Sequence, residues 1–168
     1  MIPSNVSTED LASVTAELER SRVGIIGQGS LDPAWRGELI DAQSYAQSVT
    51  HGSLGFVAVD TTPQQPADLR DIAQVLQDTT GLDTVVVRAP HASGAVSQVY
   101  TRDAIEAAQQ HLLDPNYATG LREFAHAMDT TSPQWTLIAV VVCLALACVV
   151  GLGVWMGKRH VGQANTLD

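Results

Sequence analysis

Cysteine is confined to one place in this chain. Its two copies, Cys143 and Cys148, both lie in a single apolar stretch near the C-terminus. Five residues apart on a helix they point in different directions. No disulfide is expected, and cysteine says nothing about redox compartment. Lysine is scarcer still, with Lys158 the only one. The tail holds Lys158, Arg159 and Asp168, so the first 134 residues carry 17 acids against seven arginines, a net charge of −10. A nucleic-acid partner needs many phosphate-neutralising cations and is excluded on that ground. Anionic lipid headgroups are disfavoured for the same reason. The acidity itself supplies solubility; a basic partner or a divalent cation is the alternative reading. A leader is not expected either. The opening MIPSNVSTEDLASV has neither a basic start nor an apolar core, so no signal peptide is expected.

What is present begins with that apolar stretch. From Trp135 to Gly157 there is no charged residue. As a helix these residues span roughly 34 Å, enough for a hydrocarbon core of about 30 Å. Trp135 and Trp155 fall near the ends, where indole rings favour the headgroup interface. The reading is one C-terminal transmembrane helix over 135–157, a linker over 131–134, a polar tail over 158–168 and a soluble domain over 1–130. Cys143, Ala147 and Gly151 recur every four residues, a spacing that lets helices pack closely in lipid and allows a homo-oligomer. Two arguments about the side of the membrane oppose each other. The absent signal peptide places the domain in the cytoplasm. Lys158 and Arg159 just after the helix keep the tail there instead and put the domain outside.

The soluble part alternates helices and short apolar strands. Ser7 with Asp10 reads as a capping box, and Leu11, Val14 and Leu18 repeat at helical spacing to about Ser21. Residues 23–26 read as a buried strand ended by Gly27–Ser30. Asp32-Pro33 opens a second helix whose apolar stripe is Trp35, Leu39, Ala42, Ala46 and Val49. Residues 54–59 are the second strand. Leu69, Ile72, Ala73 and Leu76 mark a third helix closed by Gly81. The solid run over 84–88 suits a strand covered on both faces. Residues 89–94 read as a turn, and 95–100 as a strand pairing back on it. Two helices follow, one from Thr101 or Asp103 and one over 117–128, with Asp114-Pro115 between them. The expected fold is α/β: a small mixed sheet of about four strands with helices on both faces.

The chemistry is sparse. Asn5-Val6-Ser7 matches a glycosylation sequon by three residues only. His51-Gly-Ser-Leu-Gly55 lacks the first glycine of a nucleophile elbow and precedes a strand where the elbow follows one. The histidines at 51, 91, 111, 126 and 160 have no metal-ligand spacing. Gly27-Gln-Gly29 lacks the third glycine of a dinucleotide loop and the lysine of a nucleotide loop. No catalytic or cofactor-binding residue is assigned. Carboxylates at strand exits remain, because open α/β sheets bind ligands there. Asp32 after the first strand and Asp60 after the second are the candidate metal ligands, with calcium the ion that wants several oxygens together. Each also has an ordinary role, Asp32 as a helix cap and Asp60 as a turn residue.

The stretch from Gly27 to Met128 resembles a TPM domain, of the family named for TLP18.3, Psb32 and MOLO-1. Asp32-Pro33, the strand Gly55-Phe-Val-Ala-Val59, the strand Thr84-Val-Val-Val-Arg88 with its hairpin partner, the terminal helix pair and the adjoining membrane anchor carry the resemblance. The whole chain is closer still to an actinobacterial family of single-pass membrane proteins whose genes often neighbour NlpC/P60-type peptidoglycan hydrolases. The TPM resemblance implies an acidic calcium site, with Asp32 as its matching residue, and phosphatase activity. Leu82-Asp83 replaces the family's asparagine-glycine step, and the glycine after the hairpin is absent. The expected function is therefore a membrane-anchored, non-enzymatic interaction module of the cell envelope, linked to peptidoglycan hydrolases. The alternatives are a TPM-type metal-dependent phosphatase and a structural subunit that oligomerises through its membrane helix.

Overall fold

The computed structural model describes residues 6–27, 33–131 and 143–144. The chain divides into two compact units, Met1–Ser132 and Pro133–Asp168. Among the described residues no helix is long and apolar enough to cross a membrane. The span expected over 135–157 lies outside them except at Cys143 and Leu144, which are helical and exposed. Asp32 also lies outside them.

In the first unit, helix α1 (Thr8–Ser21) starts at the expected capping box. The Asp10 amide donates to the Ser7 hydroxyl at 3.0 Å, and the Ser7 amide donates to the Asp10 carboxylate at 3.0 Å. Arg22 ends the helix in a left-handed conformation, φ 61°, with its N–H donating to the Leu18 carbonyl. Strand β1 (Val23–Ile26), helix α2 (Pro33–Val49), strand β2 (Leu54–Val59), helix α3 (Ala67–Thr80) and strand β3 (Thr84–Ala89) follow. Gly81 closes α3 at φ 69°, the conformation that glycine adopts without a Cβ penalty.

Strand β4 (Ala92–Ser97) pairs antiparallel with β3, with Ala89 opposite Ala92. The expected strand over 95–100 is corrected here: it begins three residues earlier, and the turn shrinks to Pro90-His91. Ser93 and Gly94 look like turn residues in sequence. Gly94 is instead the point where α3 presses on β4, for a Cβ there would meet the backbone of Leu69 and Arg70 at 2.6 to 3.0 Å. Helix α4 (Arg102–Gln109), a 3-10 turn (Gln110–Leu113) and helix α5 (Tyr117–Thr131) complete the unit.

The sheet order is β1-β2-β3-β4, with the first three strands parallel. Side chains alternate across it and feed two apolar clusters. One joins Val23, Phe56, Ala58, Val86 and Ala95 to α2, α4 and α5. The other joins Ile26, Val57, Val59, Val85 and Val87 to α1 and α3. The strands are thus covered on both faces, which explains their unbroken apolar runs. Parallel strands laid in chain order, linked first by a helix on one face and then by a helix on the other, need crossovers of opposite hand. One of the two is therefore left-handed, against the usual rule.

Candidate functional site

The three parallel strands finish together, at Ile26, Val59 and Ala89. Side chains at and beyond these ends line a cleft of about 290 Å³: Ile25, Trp35, Ala58, Val59, Asp60, Pro90 and Tyr117. Trp35 comes from the first turn of α2 and Tyr117 from the first turn of α5. Their rings meet edge to face, centroids 5.7 Å apart. This is the geometry aromatic quadrupoles prefer, and it fixes one wall of the cleft.

Among the described residues Asp60 is the one carboxylate lining the cleft. Its amide donates to the Ile26 carbonyl at 3.1 Å, and the Thr61 hydroxyl donates to its Oδ1 at 2.9 Å. Gly27, at φ 126°, lies directly beneath; a Cβ there would fall 2.1 Å from the Asp60 carboxyl carbon. A glycine is needed on both counts, backbone conformation and space. Asp60 thus stands where the sequence places it, at the cleft rim, in the turn after β2.

Beside Tyr117 lies a residue that sequence reasoning passed over. Strand alternation turns Arg88 toward the α2–α5 face, where it is 1% exposed. Its guanidinium carbon is 4.6 Å from the centre of the Tyr117 ring. The two Nη atoms donate to the carbonyls of Ala89, Ala92 and Asp114. Among the described residues the Nε has no hydrogen-bond partner. Among the described residues no carboxylate lies within ion-pair distance of it. Burial pulls the guanidinium below its ordinary pKa, while Tyr117 and Asp114 act in the opposite sense. Burial also raises the Tyr117 hydroxyl, partly offset by Arg88. The signal available in the sequence was an arginine ending a strand expected to be covered on both faces. Trp35 and Tyr117 were legible as helix residues, not as a cleft wall.

The remaining sequence candidates do not converge. The His51 amide donates to the Tyr100 hydroxyl at 2.6 Å, and the His91 amide donates to Thr62 at 3.2 Å. His111 faces Glu123 at 3.6 Å. Among the described residues no three His, Cys, Asp or Glu side chains group as metal ligands.

The family model described as membrane protein Rv1476 matches residues 1–166. This chain belongs to that membrane protein family. For the Rv1476 family member described here, no curated protein matches. A solved structure does: the N-terminal domain of the cg2496 protein from Corynebacterium glutamicum, determined by solution NMR. It is 15% identical with a TM-score of 0.50, over 67% of this chain and 80% of that one. At that identity the likeness concerns the fold alone.

Proposed function

We propose that this family member is a membrane-tethered interaction module with a degenerate TPM-like fold. It recruits or regulates a protein of the bacterial cell envelope, with peptidoglycan hydrolases as the partner class. Residues 135–157 form the tether, a single pass. The observation that carries the reading is the cleft walled by Trp35 and Tyr117. It is apolar, aromatic and placed at the strand ends where α/β sheets bind. An apolar, aromatic wall suits an apolar side chain of a protein partner.

Crosslinking in living cells followed by pull-down of the full chain tests it. Recovery of an envelope protein, reduced when Trp35 is changed to alanine, is the expected result. Recovery of none would overturn the proposal. Calcium titration separates it from a metal-dependent phosphatase. The phosphatase needs calcium to raise the melting temperature and Asp60→Asn to abolish that rise.

A further inference from the structure

The two edges of the sheet are built differently. On β1 two of the outward-facing groups are taken by side chains. The Ile25 N–H donates to the Glu17 carboxylate at 3.0 Å, and the Ser21 hydroxyl donates to the Val23 carbonyl at 2.9 Å. Arg36 in turn donates to Glu17 at 3.3 Å and fixes that guard in place. On β4 the situation is different. Gln98 donates to the Asp83 carbonyl at 2.8 Å, which sets the parity of the ladder. Residues 94 and 96 turn their backbone toward β3, while Ser93, Ala95 and Ser97 turn theirs outward. The Gln109 side chain covers the Ser93 carbonyl at 2.6 Å. The outward backbone groups of Ala95 and Ser97 have no hydrogen-bond partner among the described residues. This stretch of β4 also has none of the usual edge guards, being free of lysine, proline and bulges.

That open edge forms the floor of a slot of about 160 Å³, with α3 on one side and α4 on the other. Arg70 stands on the α3 wall, and Arg102 and Glu106 on the α4 wall. Arg70 makes no ion pair among the described residues. Arg102 pairs with Glu106, whose carboxylate also feels the charge of Arg70; these two side chains are 68% and 55% exposed. Two of the seven arginines of a strongly acidic domain therefore meet at its unpaired sheet edge.

We propose that this slot takes a fifth strand, an extended acidic segment of a protein partner. Its backbone bonds Ala95 and Ser97, and successive side chains turn alternately to α3 and α4. Neighbouring carboxylates in the segment thus reach Arg70 on one wall and Arg102 on the other. The domain's net charge repels such a segment at long range. Screening over about 8 Å at physiological salt confines that repulsion, so selection acts at contact. The inference rests on the reading of the domain as a protein-binding module and names a second surface for it, apart from the Trp35–Tyr117 cleft.

The test uses the full chain in detergent micelles and the acetylated, amidated peptide Thr-Val-Asp-Asp-Val-Thr. A control peptide carries lysine in place of both aspartates. Amide hydrogen exchange is followed at Ala95 and Ser97 by NMR. The acidic peptide is expected to slow exchange at both amides about tenfold or more, and the lysine peptide to leave it unchanged. Arg70→Glu, at an exposed position, abolishes the slowing without shifting the melting temperature. Unchanged exchange, or equal slowing by both peptides, would overturn the proposal. So would concentration-dependent protection without any peptide, which would assign the edge to a second copy of this chain. An envelope protein recovered from cells despite a negative peptide result would remove the slot and leave the module standing.

Discussion

Gly27 leaves no room for a Cβ against the Asp60 side chain, in clear contrast with another glycine. Gly27→Ala adds a Cβ where φ is 126° and the Asp60 carboxylate already lies. It is expected to cost about 1–3 kcal/mol. Gly37 is exposed within α2, with open space around the Cβ it lacks. Gly37→Ala is expected to add about 0.5–1 kcal/mol, because alanine loses less backbone entropy in a helix. Urea denaturation of both variants checks the pair, and shifts of the same sign would contradict the geometry. Arg88 supports a third substitution. Arg88→Ala leaves a cavity and removes the donor from three carbonyls, two of them buried. The expected loss is about 2–4 kcal/mol by the same measurement. Asp60 was legible as a strand-exit carboxylate because a turn residue after an apolar run can be counted off directly. Arg88 was not, since nothing local marks an arginine whose partners are carbonyls up to 26 residues away.

Elements are joined at their starts by a compact lock. The Ser53 amide and hydroxyl donate to the Asp83 carboxylate at 2.7 and 2.8 Å, and the Asp83 amide donates back to the Ser53 hydroxyl at 2.9 Å. This ties the entry of β2 to the entry of β3. The amide bond from Ser53, then its hydroxyl, hold the Asp83 pKa below the ordinary carboxylate value. A depressed folded pKa gives stability that is fully present above the unfolded value of about 4 and lost as pH falls through the folded one. Asp83→Asn is therefore expected to flatten the decline in stability between about pH 5 and pH 2, read from denaturation curves at each pH. A slope equal to the parent's would contradict the assignment. Most elements were readable because their signals are local: the Ser7–Asp10 box, the helical repeats, Gly81. The placement of β4 was not, because Gly94 carries a turn residue's signature while serving a long-range contact with α3. The opposite hands of the two crossovers are likewise a property of packing and leave no mark at any single position.

For the whole molecule, an acidic two-faced α/β unit precedes a stretch that carries no charge for 23 residues. Family membership places the chain among membrane proteins. The cleft, the buried arginine and the open sheet edge all lie in the first unit. Protease access to that unit in intact cells decides which side of the membrane it occupies, and with it the set of proteins it can meet. The proposed envelope role depends above all on the tether. Its most direct test is sedimentation of the full chain from bacterial cells in alkaline carbonate, beside the same chain ended at Ser132. The full chain is expected to stay with the membrane pellet until detergent is added, and the shortened chain to remain in the supernatant. A full chain that appears in the supernatant as a monomer without detergent would contradict the account.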